Sequence, residues 1–194
     1  YHGVPLDGHR ERKFEPQAAM AMMAELSIRN TFLPPTALKL MRQAGVKNPG
    51  VKLRSIFTGG ESLGGELHGW VRETFGIDAH EVFGQTECNL VIGSNSNLFP
   101  IRAGSMGKAT PGFDVRIVND RGEELPRGQR GIIGVRQPCP CTMIEYWKNP
   151  EATAKKYAGE FLLTGDLGIQ DEDGYFWYVS REDDVITTAG YRVG

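Results

Sequence analysis

Helix-forming and strand-forming segments alternate along the first half of the chain, and this alternation limits the fold more than any other feature. Pro16 precedes an alanine- and methionine-rich stretch that is typical of a helix. Thr36 is in a position to cap the helix that follows the first strand. The sequence predicts strands at 28–33, 53–58 and 78–83, and further helices at 37–43 and 64–75. Such alternation predicts an α/β fold with a mainly parallel sheet and flanking helices.

The pattern changes at about Asn97, where glycine, proline and aspartate become frequent. Short alternating runs predict strands at 114–118, 131–137, 161–164, 167–170 and 175–179, with turns at 119–122 and 171–174. A single helix is expected from Pro150 to about Tyr157, with Asn149 as its N-cap. The second half is therefore predicted to be a β-rich subdomain.

Length and charge limit the classes of partner. The 194 residues are enough for one large domain or two small ones. With 22 basic and 24 acidic residues, the formal net charge of -2 gives no electrostatic reason to expect nucleic acid or an anionic membrane as partner. A small molecule is the expected partner.

The three cysteines indicate reduced thiols and a cytoplasmic location. They are too few for a disulfide framework, and Cys139 and Cys141 are too closely spaced for a zinc knuckle. The sequence has no apolar run of about 18 residues and no secretory leader, so neither a membrane span nor a signal peptide is expected. The chain starts at Tyr1 and stops at Gly194, and both ends are expected to be cut from a longer protein.

The stretch from Phe83 to Glu87 combines side chains that suit a nucleotide. An aromatic ring, a glycine, an amide, a hydroxyl and a carboxylate follow a predicted strand. The ring can stack on a base, glycine allows close approach of the backbone, and the hydroxyl can donate to phosphate. The carboxylate of Glu87 can hold the Mg²⁺ that accompanies phosphates. A strand that ends in a polar turn is the alternative interpretation of this stretch alone.

Other polar groups are expected near this stretch. Gly59, Gly60 and Glu61 also follow a predicted strand. In parallel sheets, ligands bind beyond the carboxyl ends of strands, so both loops are expected at one edge of the sheet. Asp166 follows a third strand and could accept both hydroxyls of a ribose, while Arg181 supplies a cation. A turn-forming aspartate and a surface ion pair remain the alternatives.

Six clusters in this order resemble the core motifs of the adenylate-forming enzymes. They are Gly59 to Glu61, Phe83 to Glu87, Met143 to Thr153, Thr164 to Asp166, Arg181 to Asp184, and Gly190 to Arg192. This superfamily includes acyl-CoA synthetases, nonribosomal adenylation domains and luciferases. The resemblance extends from about Phe14 to the last residue.

The resemblance implies a nucleotide-binding set of residues. Gly59, Gly60 and Glu61 would line the adenine, and Glu81 and Phe83 would pack on it. Gly84, Gln85 and Arg192 are assigned to the same nucleotide-binding set.

The resemblance also assigns the catalytic contacts. Thr86 would contact the α-phosphate, and Glu87 would hold Mg²⁺. Asp166 would bind the ribose hydroxyls, and Arg181 would reach the ribose or phosphate. Asp183 matches the hinge about which a small C-terminal domain rotates between the two half-reactions.

In domain terms, the resemblance implies a partial N-terminal domain. It would consist of an α/β subdomain at 1–97 and a β-rich, distorted-barrel subdomain at 98–180. The segment 181–194 would hold the hinge and the start of a truncated C-terminal domain.

The activity implied is that of an ATP-dependent acyl-CoA synthetase, in which a carboxylic acid and ATP give an acyl-adenylate that coenzyme A converts to a thioester. The alternatives are an adenylation domain that loads a carrier protein, a non-catalytic AMP-binding module, and a fragment with no function of its own. The lysines of the superfamily's phosphate loop and catalytic step have no counterpart in the chain, so this segment alone is expected to be inactive. Self-association into a homo-oligomer is left open.

Two positions bear on the choice of acid. Gly84 stands where acetate-specific relatives have tryptophan, which favours a short- to medium-chain acid over acetate. Asn89 stands where many relatives of the superfamily have glycine, so the substrate specificity of any one relative is not expected to apply to this chain.

Overall fold

A computed structural model of the chain describes residues 13–182 and the backbone of two short strands beyond them. Its helices are α1 (Pro16–Glu25), α2 (Pro35–Gln43), α3 (Gly65–Phe75) and α4 (Pro150–Ala154). Its strands are β1 (Asn30–Phe32), β2 (Ser55–Gly59), β3 (Ala79–Gln85), β4 (Asn89–Gly93), β5 (Lys108–Ala109), β6 (Val115–Val118), β7 (Arg130–Arg136), β8 (Tyr157–Ala158), β9 (Phe161–Gln170), β10 (Phe176–Arg181), β11 (Ile186–Thr188) and β12 (Tyr191–Val193). The predicted hinge residue Asp183 and the side chain of Arg192 lie outside the described part.

The first sheet has the strand order β1-β2-β3-β4-β5 and confirms the α/β class. Only β1, β2 and β3 run parallel, because β3 turns back directly into β4 and β4 pairs antiparallel with β5. The sheet is therefore mixed, and the segment after Phe83 enters a hairpin instead of a helix. The strand β4 was not among the predicted elements.

The helices α1, α2 and α3 cover one face of this sheet. Leu38 and Met41 of α2 and Val71 of α3 are completely buried and pack with Ile56 of β2 in one apolar core. The next residue of β2, Phe57, points to the other face and is 39% exposed. Alternation along β2 thus places the helices on one side only. None of the helices in residues 13–182 is long and apolar enough to cross a membrane.

The second sheet is antiparallel, with the order β10-β9-β7-β6 and β8 paired to β9. Its inner face forms a second core that includes Ile133 and Leu162, together with Val91 and Ile92 from the first sheet. The two sheets are thus joined through shared apolar packing. The division at residue 97 stays a prediction, since β5 follows that position and still pairs with β4.

Three local predictions were wrong. Pro34 is the N-cap of α2, and Thr36 lies inside the first turn, because Pro35 already adopts the first helical position. The helix α4 stops at Ala154, Lys155 and Lys156 form a turn, and Tyr157 already belongs to β8. The runs 161–164 and 167–170 form one continuous strand, β9. The N-cap prediction for α4 is confirmed, since Asn149 Oδ1 accepts the N–H of Ala152 at 3.0 Å.

Candidate functional site

A cleft of about 290 Å³ opens where the ends of β2 and β3 meet the β9–β10 pair. The structure brings eight of the predicted site residues to its walls: Gly60, Glu61, Glu81, Phe83, Gly84, Gln85, Asp166 and Arg181. Four lining residues were not predicted: Ser62, Val82, Met106 and Tyr178. Met106 lies in a glycine- and serine-containing loop before β5, and Tyr178 lies in β10. Neither segment carries a sequence pattern that indicates a binding role.

The glycines after β2 allow the backbone to turn at the edge of this cleft. Gly59 ends β2, and a Cβ there would lie 2.5 Å from the carbonyl oxygen of Val82 in β3. Gly60 has φ +90°, a conformation that L side chains rarely adopt. The backbone geometry therefore requires glycine at both positions, in addition to the predicted role of the pair in lining the adenine.

The carboxylate of Glu61 is directed to the start of α2. It accepts the N–H of Thr36 at 3.0 Å and the Thr36 hydroxyl, and it pairs with Lys39 at 3.4 Å. Burial acts to raise the pKa of Glu61, but these bonds and the lysine charge together lower it. Glu61 is thus held ionised, and its carboxylate braces the loop against α2.

Glu81 is a buried acid beside the cleft, with 7% of its surface exposed. Its backbone N–H donates to Ser94 Oγ at 2.7 Å. Burial raises the pKa of the Glu81 carboxyl to about 7, although a hydrogen bond with the Leu63 backbone acts in the opposite direction. A buried acid with a raised pKa therefore lines the cleft.

Gly84 lies at an irregularity in the β3–β4 ladder. The register shifts between Phe83 and Gly84, and a Cβ at Gly84 would lie 1.9 Å from the carbonyl oxygen of Asn89. Asn89 itself has φ +63°, which asparagine tolerates better than most residues. The geometry of the hairpin thus explains a glycine at 84 and accommodates an asparagine at 89.

Asp166, Gln85 and Arg181 form a polar cluster that lines the cleft. Gln85 Nε2 donates to Asp166 Oδ2 and to the carbonyl oxygen of Thr164 at 3.0 Å. Arg181 Nη1 donates to Asp166 Oδ1 at 3.3 Å, in keeping with the pairing of these residues across β9 and β10. The side chains of Arg181 and Asp166 are only 14% and 7% exposed. This burial argues against a solvated surface ion pair.

Thr86 and Glu87 lie in the tight turn between β3 and β4, next to the cleft. Thr86 is exposed and Glu87 is half-buried. Tyr146 donates its hydroxyl proton to Glu87 Oε1 at 2.6 Å, and the Met143 N–H donates to the Glu87 carbonyl oxygen at 2.7 Å. The segment at 143–147 belongs to one of the motifs that carry the family resemblance, but no residue pattern in it signals this contact with a turn that lies about sixty positions earlier.

The donor set around Glu87 fits one kind of metal site. Within residues 13–182, no group of three or more His, Cys, Asp or Glu side chains could hold a metal ion by itself. Mg²⁺ in nucleotide sites is commonly held by one or two carboxylates plus phosphate oxygens and water. A single carboxylate next to the Thr86 hydroxyl fits a cation that arrives with a nucleotide.

Comparison with solved structures defines the class of the fold. Over 93% of its length the chain superposes on ATP-bound MatB from Rhodopseudomonas palustris, with TM-score 0.77 and 29% identity, and covers 36% of that protein. The fold is that of the adenylate-forming enzymes.

The sequence comparisons then define the family. The profile of the AMP-binding enzyme family matches residues 3–147, and the chain belongs to this family. It is 37% identical to the mitochondrial acyl-coenzyme A synthetase ACSM4 of Homo sapiens over 96% of the chain and 33% of that protein. It is 36% identical to the uncharacterized acyl-CoA ligase YtcI of Bacillus subtilis over 100% of the chain and 35% of that protein. The chain thus spans about a third of the length of these relatives.

Proposed function

We propose that this chain forms the AMP-binding part of an ATP-dependent acyl-CoA synthetase. The observation that carries the proposal is the cleft itself, which is lined by the buried Asp166–Arg181 pair together with the loop after β2 and the end of β3. The similarity to acyl-CoA synthetases and ligases over the whole chain supports the same activity. The substrates would be a carboxylic acid, ATP and coenzyme A, and the location would be cytoplasmic.

In the proposed reaction, the carboxylate of the acid attacks the α-phosphorus of ATP and pyrophosphate leaves. The sulfur of coenzyme A then attacks the acyl carbon, and AMP leaves. Both steps depend chiefly on the placement of the reacting groups and on charges that offset negative charge on oxygen. Mg²⁺, when bound, supplies part of this positive charge.

The residues of the chain would divide this work between binding and catalysis. Asp166 would accept hydrogen bonds from the ribose hydroxyls, and Arg181, already held by Asp166, would reach the ribose or the phosphate. Thr86, exposed in the turn, would donate to the α-phosphate, and Glu87 beside it would hold the cation. Adenine would lie between the Gly-Gly loop and the β3 segment that contains Glu81 and Phe83.

The remaining predictions on organisation are part of the same proposal. Subdomains at 1–97 and 98–180 would be followed by a hinge at Asp183, from which a C-terminal domain rotates between the half-reactions. Arg192 would enter the site after that rotation. A short- to medium-chain acid remains the proposed substrate class, although Gly84 is also required by the hairpin.

Carboxylate-dependent exchange of labelled pyrophosphate into ATP tests the proposal with the full-length protein. Acids of increasing chain length are supplied in turn, and thioester formation with coenzyme A is followed separately. We expect exchange with short- to medium-chain acids, and loss of exchange in Glu87→Gln while the exposed-site control Asp173→Asn remains active. Exchange without a coenzyme A thioester would indicate transfer to a carrier protein. AMP binding without exchange with any acid would contradict the synthetase proposal.

A further inference from the structure

The half-buried Glu87 carboxylate is hydrogen-bonded to the hydroxyl of Tyr146, at 2.6 Å from Oη to Oε1. We propose that Tyr146 is a positioning residue that orients Glu87 toward the Mg²⁺ of the nucleotide. The inference rests on the proposed function, because it takes Glu87 as the metal ligand. It adds a residue outside the cleft to the machinery of the site, since Tyr146 is not among the cleft's lining residues.

Tyr146 is also anchored through its backbone. Its backbone N–H donates to Thr153 Oγ1 at 2.9 Å, and that hydroxyl donates to the carbonyl oxygen of Asn149 at 2.9 Å. Asn149 is also the N-cap of α4. The phenol that reaches Glu87 is therefore fixed to the start of a helix.

The loop that carries Tyr146 is also bonded to the backbone of the same glutamate. The Met143 N–H donates to the Glu87 carbonyl oxygen at 2.7 Å. The hydroxyl of Tyr157 donates to the Met143 carbonyl oxygen at 3.1 Å and connects the loop to β8. Glu87 is thus held by its main chain and by its carboxylate, in both cases from the segment 143–146.

This double attachment has a chemical consequence for the carboxylate. A glutamate side chain has three rotatable bonds, and a hydrogen bond at one oxygen fixes the direction of the other oxygen. Groups that orient metal ligands in this way commonly change metal affinity by roughly 10- to 100-fold when they are removed. The Tyr146 hydroxyl would increase the gain in nucleotide affinity that Mg²⁺ produces, without contacting the nucleotide itself.

Calorimetric titration of the full-length protein with ATP, with and without Mg²⁺ and in the absence of the acid, tests the inference. The quantity of interest is the ratio of the two dissociation constants. We expect Tyr146→Phe to reduce the Mg²⁺-dependent gain in affinity by roughly tenfold and to leave metal-free binding unchanged. In a Glu87→Gln background, Tyr146→Phe should have no further effect, because the ligand that it orients is gone.

Tyr157→Phe is the matched control, since it removes a tyrosine hydroxyl that binds the same loop but not the carboxylate. We expect it to keep the wild-type Mg²⁺ dependence. The inference would be overturned if Tyr146→Phe left the ratio unchanged, if it weakened ATP binding equally with and without Mg²⁺, or if Tyr157→Phe had the same effect. A wild-type protein that binds no ATP at all would instead refute the proposed function, and the inference with it.

Discussion

Replacement of the buried acid Glu81 by glutamine should remove a pH dependence from the stability of the protein. Burial raises the pKa of Glu81 in the folded state from its ordinary value of 4.5 to about 7. The folded protein therefore keeps this proton over a pH range in which the unfolded chain has already released it. The favourable contribution is complete below the unfolded pKa and is lost as the pH rises toward 7.

The size of the effect follows from these two pKa values. Proton linkage predicts that wild type loses roughly 2 to 3 kcal/mol of unfolding free energy between pH 5 and pH 8 through Glu81 alone. Glu81→Gln has a similar shape and no proton to release in this range. The difference in stability between Glu81→Gln and wild type should therefore shift in favour of the variant by about the same amount.

Urea unfolding at several pH values measures this difference directly. Glu145→Gln provides the control for the substitution itself, because the Glu145 side chain is exposed to water. A Glu81→Gln difference that is independent of pH, or that shifts in favour of wild type as the pH rises, would refute the argument from burial.

Two further predictions concern the hairpin and the thiols. Gly84→Ala should destabilise the protein by about 2 kcal/mol or more, because the new Cβ would clash with the Asn89 carbonyl oxygen. The control Gly69→Ala in α3 places its Cβ near no other atom and should stabilise the protein by up to about 1 kcal/mol. Equal effects in thermal unfolding would contradict the close approach. The thiol of Cys141 is exposed, whereas burial raises the pKa of Cys88 to about 11, so iodoacetamide at pH 8 should label Cys141 and spare Cys88 in the folded protein. If mass spectrometry shows that both cysteines are labelled at similar rates, the burial of the Cys88 thiol is contradicted.

The helices and parallel strands were predictable because their signals are local. Proline at the first position, periodic apolar residues and short apolar runs were enough for α1, α2, α3, β2 and β3. The strand β4 was missed because Leu90, Val91 and Ile92 are a run too short to separate from a loop. The hairpin that creates this strand depends on the left-handed backbone of Asn89, which no periodicity reveals.

The candidate site shows the same division between local and long-range information. Gly60 and Gln85 could be placed at one cleft, because the carboxyl ends of the neighbouring parallel strands β2 and β3 meet at one edge. Asp166 lies inside β9 of the second sheet, so its place at the same cleft does not follow from this rule. The sequence could not predict the orientation of Glu61 toward α2 or the contact of Tyr146 with Glu87, because each contact joins segments that are distant in sequence. Such pairs are determined by packing alone.

Calorimetric titration of the full-length protein with a nonhydrolysable acyl-adenylate analogue tests the central claim most directly. The experiment compares wild type, Asp166→Ala and the exposed-site control Asp173→Ala, after thermal unfolding has shown that all three are folded. We expect wild type and Asp173→Ala to bind alike, and Asp166→Ala to lose about tenfold or more of the affinity, because hydrogen bonds to the charged carboxylate would be lost. Absence of binding by wild type, or undiminished binding by Asp166→Ala, would contradict the assignment of this cleft to AMP.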